Sequence, residues 1–258
     1  MAARLGLRLV ALFYLAAILV APLGLVCYRT CAHDAGAAWA ALHAHATVHA
    51  FRVTLVAVAI AVSVNAVFGV VCALAIVRGR FPGRGFLNAF VDLPLALSPV
   101  VVGAALFLLY GRNGWLPGVH VLFTLRGIVL ATTFVSLPFV AREVVPTLRE
   151  IGDEQEQAAH TLGASGWQTF WRVTLPSIRW AVVYGVVLTT ARCLGEYGAV
   201  AVVSGNIEGR TQTATLAVQD AYENLDRAGA YAISLALALG AVLVLVAMSL
   251  VRPREARS

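Results

Sequence analysis

The stretch FRVTLVAVAIAVSVNAVFGVVCALAIV, residues 51–77, decides the fold class of this protein. The 25 residues between Arg52 and Arg78 carry no charged side chain. A helix needs about 20 apolar residues, at a rise of about 1.5 Å each, to cross roughly 30 Å of hydrocarbon in a bilayer. The stretch is too long for a strand and lacks the alternation of a membrane barrel. It therefore predicts a transmembrane helix.

Similar apolar stretches run through the whole chain. The predicted spans are residues 5–28, 51–77, 86–110, 127–144, 178–203 and 228–251. The 258 residues are 60% hydrophobic and 12% charged, and their mean hydropathy is +0.83. A soluble domain carries about 25% charged residues, so the soluble globular and disordered classes are excluded. We predict an all-α, polytopic helical membrane protein with about six transmembrane helices, in which residues 1–258 form a single transmembrane domain.

The N-terminal stretch has some features of a secretion signal, because Arg4 and Arg8 precede an apolar run. The run continues to Val26, which is longer than an ordinary signal core. Pro22 follows Ala21, the most obvious small residue for cleavage, and proline at that position hinders processing. We therefore expect the segment to be retained as the first span.

Every basic side chain except histidine is an arginine, and the 19 arginines give a net charge of +6. Such a charge would indicate nucleic acid in a soluble domain, but in a membrane protein it sets orientation. With both termini inside, twelve arginines lie inside and six outside. This bias predicts cytoplasmic termini, a cytoplasmic segment 142–179, and contact with membrane lipid and not with nucleic acid.

The outer segment 30–50 is rich in histidine, which raises the alternative of a metal site. His45 and His49 are four residues apart, so a helix would place both on one face. Ala46 follows His45, so the H-E-x-x-H form is not met, and no Cys or acid completes a site. We expect a short amphipathic surface helix here and no bound metal.

The inner segment 142–179 is too long for a plain turn, and it mixes acidic, small and aromatic residues. A first short helix is predicted over about 152–162, since Glu154 and Glu156 fall in its first turn, where the helix dipole favours acids. Gly163 is a usual helix end because glycine tolerates positive φ.

A second short helix is predicted after this glycine. Ser165 and Gln168 have the spacing of a capping box, in which Ser165 is the N-cap. The helix is expected to continue through Trp171 and to be broken at Pro176 before the fifth span.

A helix–glycine–helix element at the membrane surface has one simple mechanical use. It can present Ala158, Ala159 and Leu162 to a groove on a partner protein, since small side chains permit close approach. The alternative is an amphipathic connection that only lies in the interface. The residues alone leave both interpretations open.

Residues 157–176 resemble the motif E-A-A-x3-G-x9-I-x-L-P of the integral membrane subunits of bacterial ABC importers. The whole spacing is kept, with Gln157 in place of the first glutamate, Glu156 beside it, and Val173 in place of isoleucine. The resemblance implies a type I ABC importer permease fold and a coupling helix that docks in a cleft on an ATPase subunit. The coupling residues implied are Glu156, Gln157, Ala158, Ala159, Leu162, Gly163 and Ser165.

Further segments extend the resemblance over nearly the whole chain. The stretches 92–101, 109–114 and 195–207 are similar to sulfate/thiosulfate permeases, and 163–170 with 174–180 to their W-type subunit. Molybdate permeases share the G-E-[FY]-G-A core, so molybdate or tungstate is the alternative cargo. The resemblance implies a bacterial inner-membrane complex. Its other members are a T-type permease, an ATPase dimer that holds ATP and Mg²⁺, and an extracytoplasmic sulfate-binding protein.

The sequence contains no catalytic motif. Without lysine, the G-x4-G-K-[ST] phosphate loop cannot exist, and no nucleophile–base set appears. We therefore expect no enzyme activity and no cofactor on this chain. One rival class is an ion-coupled secondary transporter that uses Glu196 or Asp92 as its ion site. The other is an intramembrane enzyme, which would need a catalytic pair within a span, and the sequence shows none.

Ionisable groups inside spans are costly and face protein or water. Arg192 and Glu196 are four residues apart on the predicted fifth span, where they can pair. The pair is either structural or borders an anion path, for which Thr189, Thr190 and Ser98 could supply hydroxyl donors.

Overall fold

The structure is a computed structural model that describes the backbone of residues 2–33, 35–116 and 118–251. Within these ranges the regular structure is helical, with no strand. The α-helices are α1 (Ala2–Leu15), α2 (Ala21–His33), α3 (Ala35–His43), α4 (His45–Arg78), α5 (Arg84–Ala96), α6 (Pro99–Tyr110), α7 (Leu125–Ser136), α8 (Pro138–Ile151), α9 (Glu154–Thr161), α10 (Gly166–Thr169), α11 (Leu175–Leu194), α12 (Gly198–Ser204), α13 (Ala214–Glu223) and α14 (Arg227–Val251). Two π-helical turns, Ala16–Val20 and Phe170–Thr174, join α1 to α2 and α10 to α11.

The prediction of about six spans is confirmed. In the described residues five helical stretches are long and apolar enough to cross a membrane: Gly6–Thr30, His45–Arg78, Leu125–Ile151, Gly166–Leu194 and Arg227–Ala247. Counted as one bent span, the pair α5–α6, whose axes meet at 107°, brings the number to six.

Residues 86–110, predicted as the third span, thus form a bent pair of helices and not one continuous helix. Pro94 lies inside α5, and Pro99 begins α6. Ser98 between them is extended, with ψ at 137°, because a residue that precedes proline is driven out of the helical region. The bend turns α6 away from the α5 axis and onto α12.

The fourth span is longer than predicted, since α8 ends at Ile151 and not near residue 144. Arg142 was expected to bound this span, but it lies inside α8. Its charge is accommodated there by an ion pair with Asp92 of α5, in which Nε and Oδ1 are 2.9 Å apart.

The fifth span also has different ends from those predicted. Its helix stops at Leu194 and not near 203, and the chain resumes as α12 at Gly198. Pro176 was expected to interrupt the helix before the fifth span, but it does not. The π-helical turn at 170–174 leads directly into α11, whose first turn needs no donor from Pro176.

The core lies where α4, α8 and α11 meet. Val140 of α8 packs between Gly69 of α4 and Gly185 of α11. A Cβ atom on these glycines would lie 2.6 Å from Val140 Cβ and 2.7 Å from Val140 Cα respectively. Such distances are too short for real atoms, so the two glycines allow the three helices to approach closely.

Polar contacts join α4 and α11 to α7 as well. Asn65 of α4 donates its side-chain amide to Ser136 Oγ at 2.8 Å and to the Thr133 carbonyl at 3.1 Å. Cys193 of α11 donates its thiol to the same Ser136 oxygen at 3.2 Å. These bonds hold α4, α7 and α11 in one register.

The outer histidine-rich segment is helical. It contains α3, and α4 already begins at His45, earlier than the predicted residue 51. His43 Nδ1 lies 2.9 Å from the Trp39 carbonyl oxygen. In the described part of the chain, no three His, Cys, Asp or Glu residues are grouped as metal ligands.

Candidate functional site

The loop between α8 and α11, predicted to be cytoplasmic, forms a compact element that we call the docking segment, residues 152–174. It contains α9, a turn at Gly163, α10 and the second π-helical turn. Gly163 has φ of +85°, which is the left-handed backbone that glycine adopts without strain. The capping box is formed: Gln168 N–H donates to Ser165 Oγ at 3.3 Å, and Ser165 N–H donates to Gln168 Oε1 at 2.9 Å. The predicted helix–glycine–helix arrangement is confirmed.

Glu156 fixes the docking segment to the membrane-spanning helices. Arg78, the last residue of α4, donates Nε to Glu156 Oε2 at 2.8 Å, and Thr174 donates its hydroxyl to Glu156 Oε1 at 2.8 Å. The side chains of Arg78 and Glu156 are 22% and 18% exposed. We call this three-residue contact the Arg78 clamp.

Arg78 also holds the end of α8. Its Nη1 donates to the Leu148 carbonyl at 3.3 Å, and its Nη2 donates to the Gly152 carbonyl. One guanidinium therefore joins α4, α8 and α9, since its planar donors can serve several acceptors at once. Sequence reasoning named Glu156 but missed Arg78, because this arginine counted only as an orientation charge at the end of an apolar run.

The face of the docking segment away from the clamp is open. Leu162 is 89% exposed and Trp167 is 70% exposed. Gln157 and Ala158 are exposed, whereas Ala159 is half-buried. An exposed patch that carries large apolar side chains of this kind marks a surface for a partner or a membrane.

A shallow groove runs between α9 and the first turn of α11 beside this patch. Its lining residues combine small, apolar and basic side chains: Gln155, Ala158, Ala159, Leu162, Arg172, Val173, Pro176, Ser177 and Arg179. Five of the seven sequence-predicted coupling residues therefore line the groove, lie on the exposed patch or cap a helix. Glu156 belongs to the clamp, and Gly163 supplies the turn.

The structure brings together the predicted pair at the outer end of α11. Arg192 Nη1 and Glu196 Oε2 are 2.7 Å apart. The Glu196 side chain is 2% exposed, and its Oε1 accepts the Ala199 N–H at 3.0 Å at the start of α12. Thr215 donates to the Glu196 carbonyl at 2.8 Å. Glu196 therefore has a structural use in addition to neutralising Arg192.

The hydroxyl groups predicted for the path lie in different surroundings. Thr189 is fully buried and donates to the Gly185 carbonyl at 2.6 Å, and Thr190 donates to the Val186 carbonyl at 2.8 Å. Ser98 is exposed at the bend between α5 and α6. In this conformation the two threonine protons are used within α11, and Ser98 is the open hydroxyl of the three.

Comparison with known proteins identifies the family. The family model described as "Binding-protein-dependent transport system inner membrane component" matches residues 65–257. The chain is 52% identical to the sulfate transport system permease protein CysW of Synechococcus elongatus, over 81% of this chain and 75% of that protein. It is 45% identical to CysW of Synechocystis sp., over 95% and 91% of the two chains.

The similarity includes a second type of permease subunit and solved structures. The sulfate transport system permease protein CysT of Escherichia coli K12 is 37% identical, over 95% of this chain and 91% of that protein. A bacterial ABC transporter that imports alginate matches with a TM-score of 0.73 at 16% identity, covering 96% of this chain and 93% of that one. The fold is thus that of an ABC importer permease. The chain belongs to the family of binding-protein-dependent transport system inner membrane components.

Proposed function

We propose that this chain is the transmembrane subunit of an ATP-driven sulfate/thiosulfate importer and forms half of its translocation pathway. The observation that carries the mechanism is the docking segment, whose apolar face is open while the Arg78 clamp ties its other face to α4 and α8. The names of the CysW and CysT relatives support sulfate as the cargo.

The chain works with three kinds of partner. An ATPase dimer, which holds ATP and Mg²⁺, receives the docking segment, since this chain has no phosphate loop of its own. A homologous T-type permease supplies the other half of the pathway, and an extracytoplasmic protein delivers the anion. A solved alginate transporter in complex with its periplasmic protein has the same fold and supports this arrangement, with a TM-score of 0.76.

Transport couples closure of the ATPase dimer to movement of the spans. ATP binding brings the ATPase subunits together and displaces the docking segment, and the Arg78 clamp passes this displacement to α4 and α8. The pathway then opens outward, and hydrolysis resets it. The bacterial inner membrane is the site of action, with both termini in the cytoplasm.

Arg192 borders the anion path in the outer half of the membrane, with Thr189, Thr190 and Ser98 as candidate donors. Its charge is partly neutralised by Glu196, which suits the weak, transient contact that a moving anion needs. Unchanged uptake by an assembled Arg192→Ala complex would remove Arg192 from the path.

Cross-linking tests the docking. A cysteine introduced at Ala159, which lines the groove, should form a disulfide with a cysteine in the ATPase cleft in at least one nucleotide state. A cysteine at Trp115, which is 89% exposed but lies in the opposite loop, should form none. Failure of the Ala159 cross-link in every nucleotide state contradicts docking.

Transport assays test the energy source. Proteoliposomes with the whole complex should accumulate radiolabelled sulfate only with ATP. Accumulation by this chain alone, driven by an ion gradient without nucleotide, would instead establish the secondary transporter.

A further inference from the structure

A second ion pair lies within the membrane-spanning helices, on a face that the chain leaves open. Arg142 of α8 donates Nε to Asp92 Oδ1 of α5 at 2.9 Å. The Arg142 side chain is 58% exposed, and that of Asp92 is 32% exposed. The outer pair differs in this respect, since the side chain of Glu196 is only 2% exposed.

Both residues lie in the cytoplasmic half of the bilayer. Arg142 precedes the end of α8 at Ile151 by nine residues, roughly 14 Å. Asp92 follows the start of α5 at Arg84 by eight residues, roughly 12 Å. A charged side chain at membrane depth costs about 2.5–3.5 kcal/mol when it meets hydrocarbon, so this exposed pair faces protein or water.

A cavity of about 220 Å³ lies beside the pair. Its lining combines an amide, the two charged groups and apolar side chains: Ile76, Asn88, Val91, Asp92, Ala141, Arg142, Val145 and Pro146. One water takes about 30 Å³ of liquid volume, so the cavity accommodates several waters or one small anion with part of its hydration shell. The cavity therefore has room for water beside the ion pair.

Arg142 lines this cavity and has N–H donors that are not engaged by Asp92. Its Nε is engaged by Asp92, while its two terminal Nη groups have no hydrogen-bond partner among the described residues. A guanidinium presents planar paired donors that match the oxygen geometry of sulfate-like anions. The carboxylate of Asp92 repels the same anion, so binding at this position is weak and release toward the cytoplasm stays fast.

We propose that Arg142, with the Asn88 amide beside it, is a weak binding site for a divalent tetrahedral oxyanion in the cytoplasmic half of the pathway. This inference rests on the proposed function. It places the pathway along the open face between α5 and α8. Arg192 follows the start of α11 by 17 residues, roughly 26 Å, so the two arginines serve opposite halves of the membrane.

Charge substitutions in the purified, reconstituted complex test the site. Arg142→Gln should lower the initial rate of ATP-driven uptake of radiolabelled sulfate about tenfold, the scale of one lost charged hydrogen bond. Arg142→Lys should retain part of the rate. Arg149→Gln, an exposed arginine of the same helix outside the cavity lining, should leave uptake unchanged.

The double variant Asp92→Asn with Arg142→Gln separates anion binding from simple pairing. It removes both charges, so no unpaired charge is left to unfold the bundle. If Arg142 binds the anion, the double variant stays below the wild-type rate, although the repulsion by Asp92 is gone. Recovery of wild-type uptake overturns the proposal, and so does loss of the T-type subunit from the purified complex, which would assign the pair to the subunit interface.

Thiol labelling provides a readout that is independent of transport. In a complex with Cys27 and Cys31 replaced by serine, a cysteine at Pro146, an exposed residue of the cavity lining, should react with a negatively charged thiol reagent. Cys72 and Cys193 are buried and should stay unlabelled. A high concentration of sulfate should slow this reaction, and the Arg142→Gln change should abolish the protection. Absence of protection by sulfate overturns the site. Absence of ATP-driven uptake by the unaltered complex would overturn the proposed function instead.

Discussion

Glu156 shows what one side chain contributes to the docking segment. Its carboxylate accepts from Arg78 and from Thr174, so Glu156→Gln removes the charge while it keeps the size. We expect the variant to lose about 1–3 kcal/mol of stability, the usual cost when a partner of a charged hydrogen bond is removed. Sulfate-stimulated ATPase activity should fall as well, because the segment is held less firmly. Thermal unfolding and ATPase assays of the complex measure both effects.

Gln157 is the matched control at the residue scale. It is exposed next to Glu156, and it occupies the position where the family motif has glutamate. Gln157→Glu should leave the unfolding midpoint unchanged. Equal destabilisation by the two substitutions would show that the clamp does not set stability.

The motif spacing located Glu156, but its partner Arg78 is 78 residues away, and no local pattern connects residues at that separation.

Gly163 sets the angle between α9 and α10, which makes it the residue to test at the scale of elements. It has φ of +85°, and an added Cβ would meet nothing within 4 Å, so a substitution acts through the backbone alone. Gly163→Ala should cost about 1–2 kcal/mol, the penalty for an L-residue in the left-handed region. Gly166, which is also uncrowded but lacks positive φ, should tolerate alanine without loss. Thermal unfolding of both variants tests this difference, and equal stability of the two would contradict it.

Helix boundaries show where local patterns stop being informative. The capping box at Ser165 and the stop at Gly163 were predicted correctly because both depend on neighbouring residues. The ends of α8 and α11 were misplaced. An arginine within an apolar run looks like a boundary, and only the tertiary contact with Asp92 shows that Arg142 lies inside α8.

Sidedness is a property of the whole molecule. Leu162 and Trp115 are both 89% exposed, and a single apolar helical stretch, Leu125–Ile151, separates them in the chain, so the proposed topology puts them on opposite sides of the membrane. A cysteine at Leu162 should react with an impermeant thiol reagent only from the cytoplasmic side, and one at Trp115 only from outside. Labelling of both from the same side would contradict the topology.

Composition and hydropathy were sufficient to predict the fold class and the number of spans, because the bilayer imposes both. They could not predict the 107° bend of the third span in detail, although Pro94 and Pro99 marked its place. They also could not predict which charged side chains meet across helices. Those pairs, Arg78–Glu156 and Asp92–Arg142, are what the proposed transport mechanism depends on.

The length of α4 has a mechanical consequence. Its 34 residues extend about 51 Å from the clamp at Arg78, which exceeds the roughly 30 Å thickness of the hydrocarbon. A tilt of 5°, imposed on so long a helix through the clamp, carries the far end sideways by roughly 4 Å, which follows from that length. Near that end, the Thr54 hydroxyl oxygen accepts the Ala214 N–H at 2.8 Å, and Ala214 is the first residue of α13. A sideways movement of α4 therefore acts directly on α13.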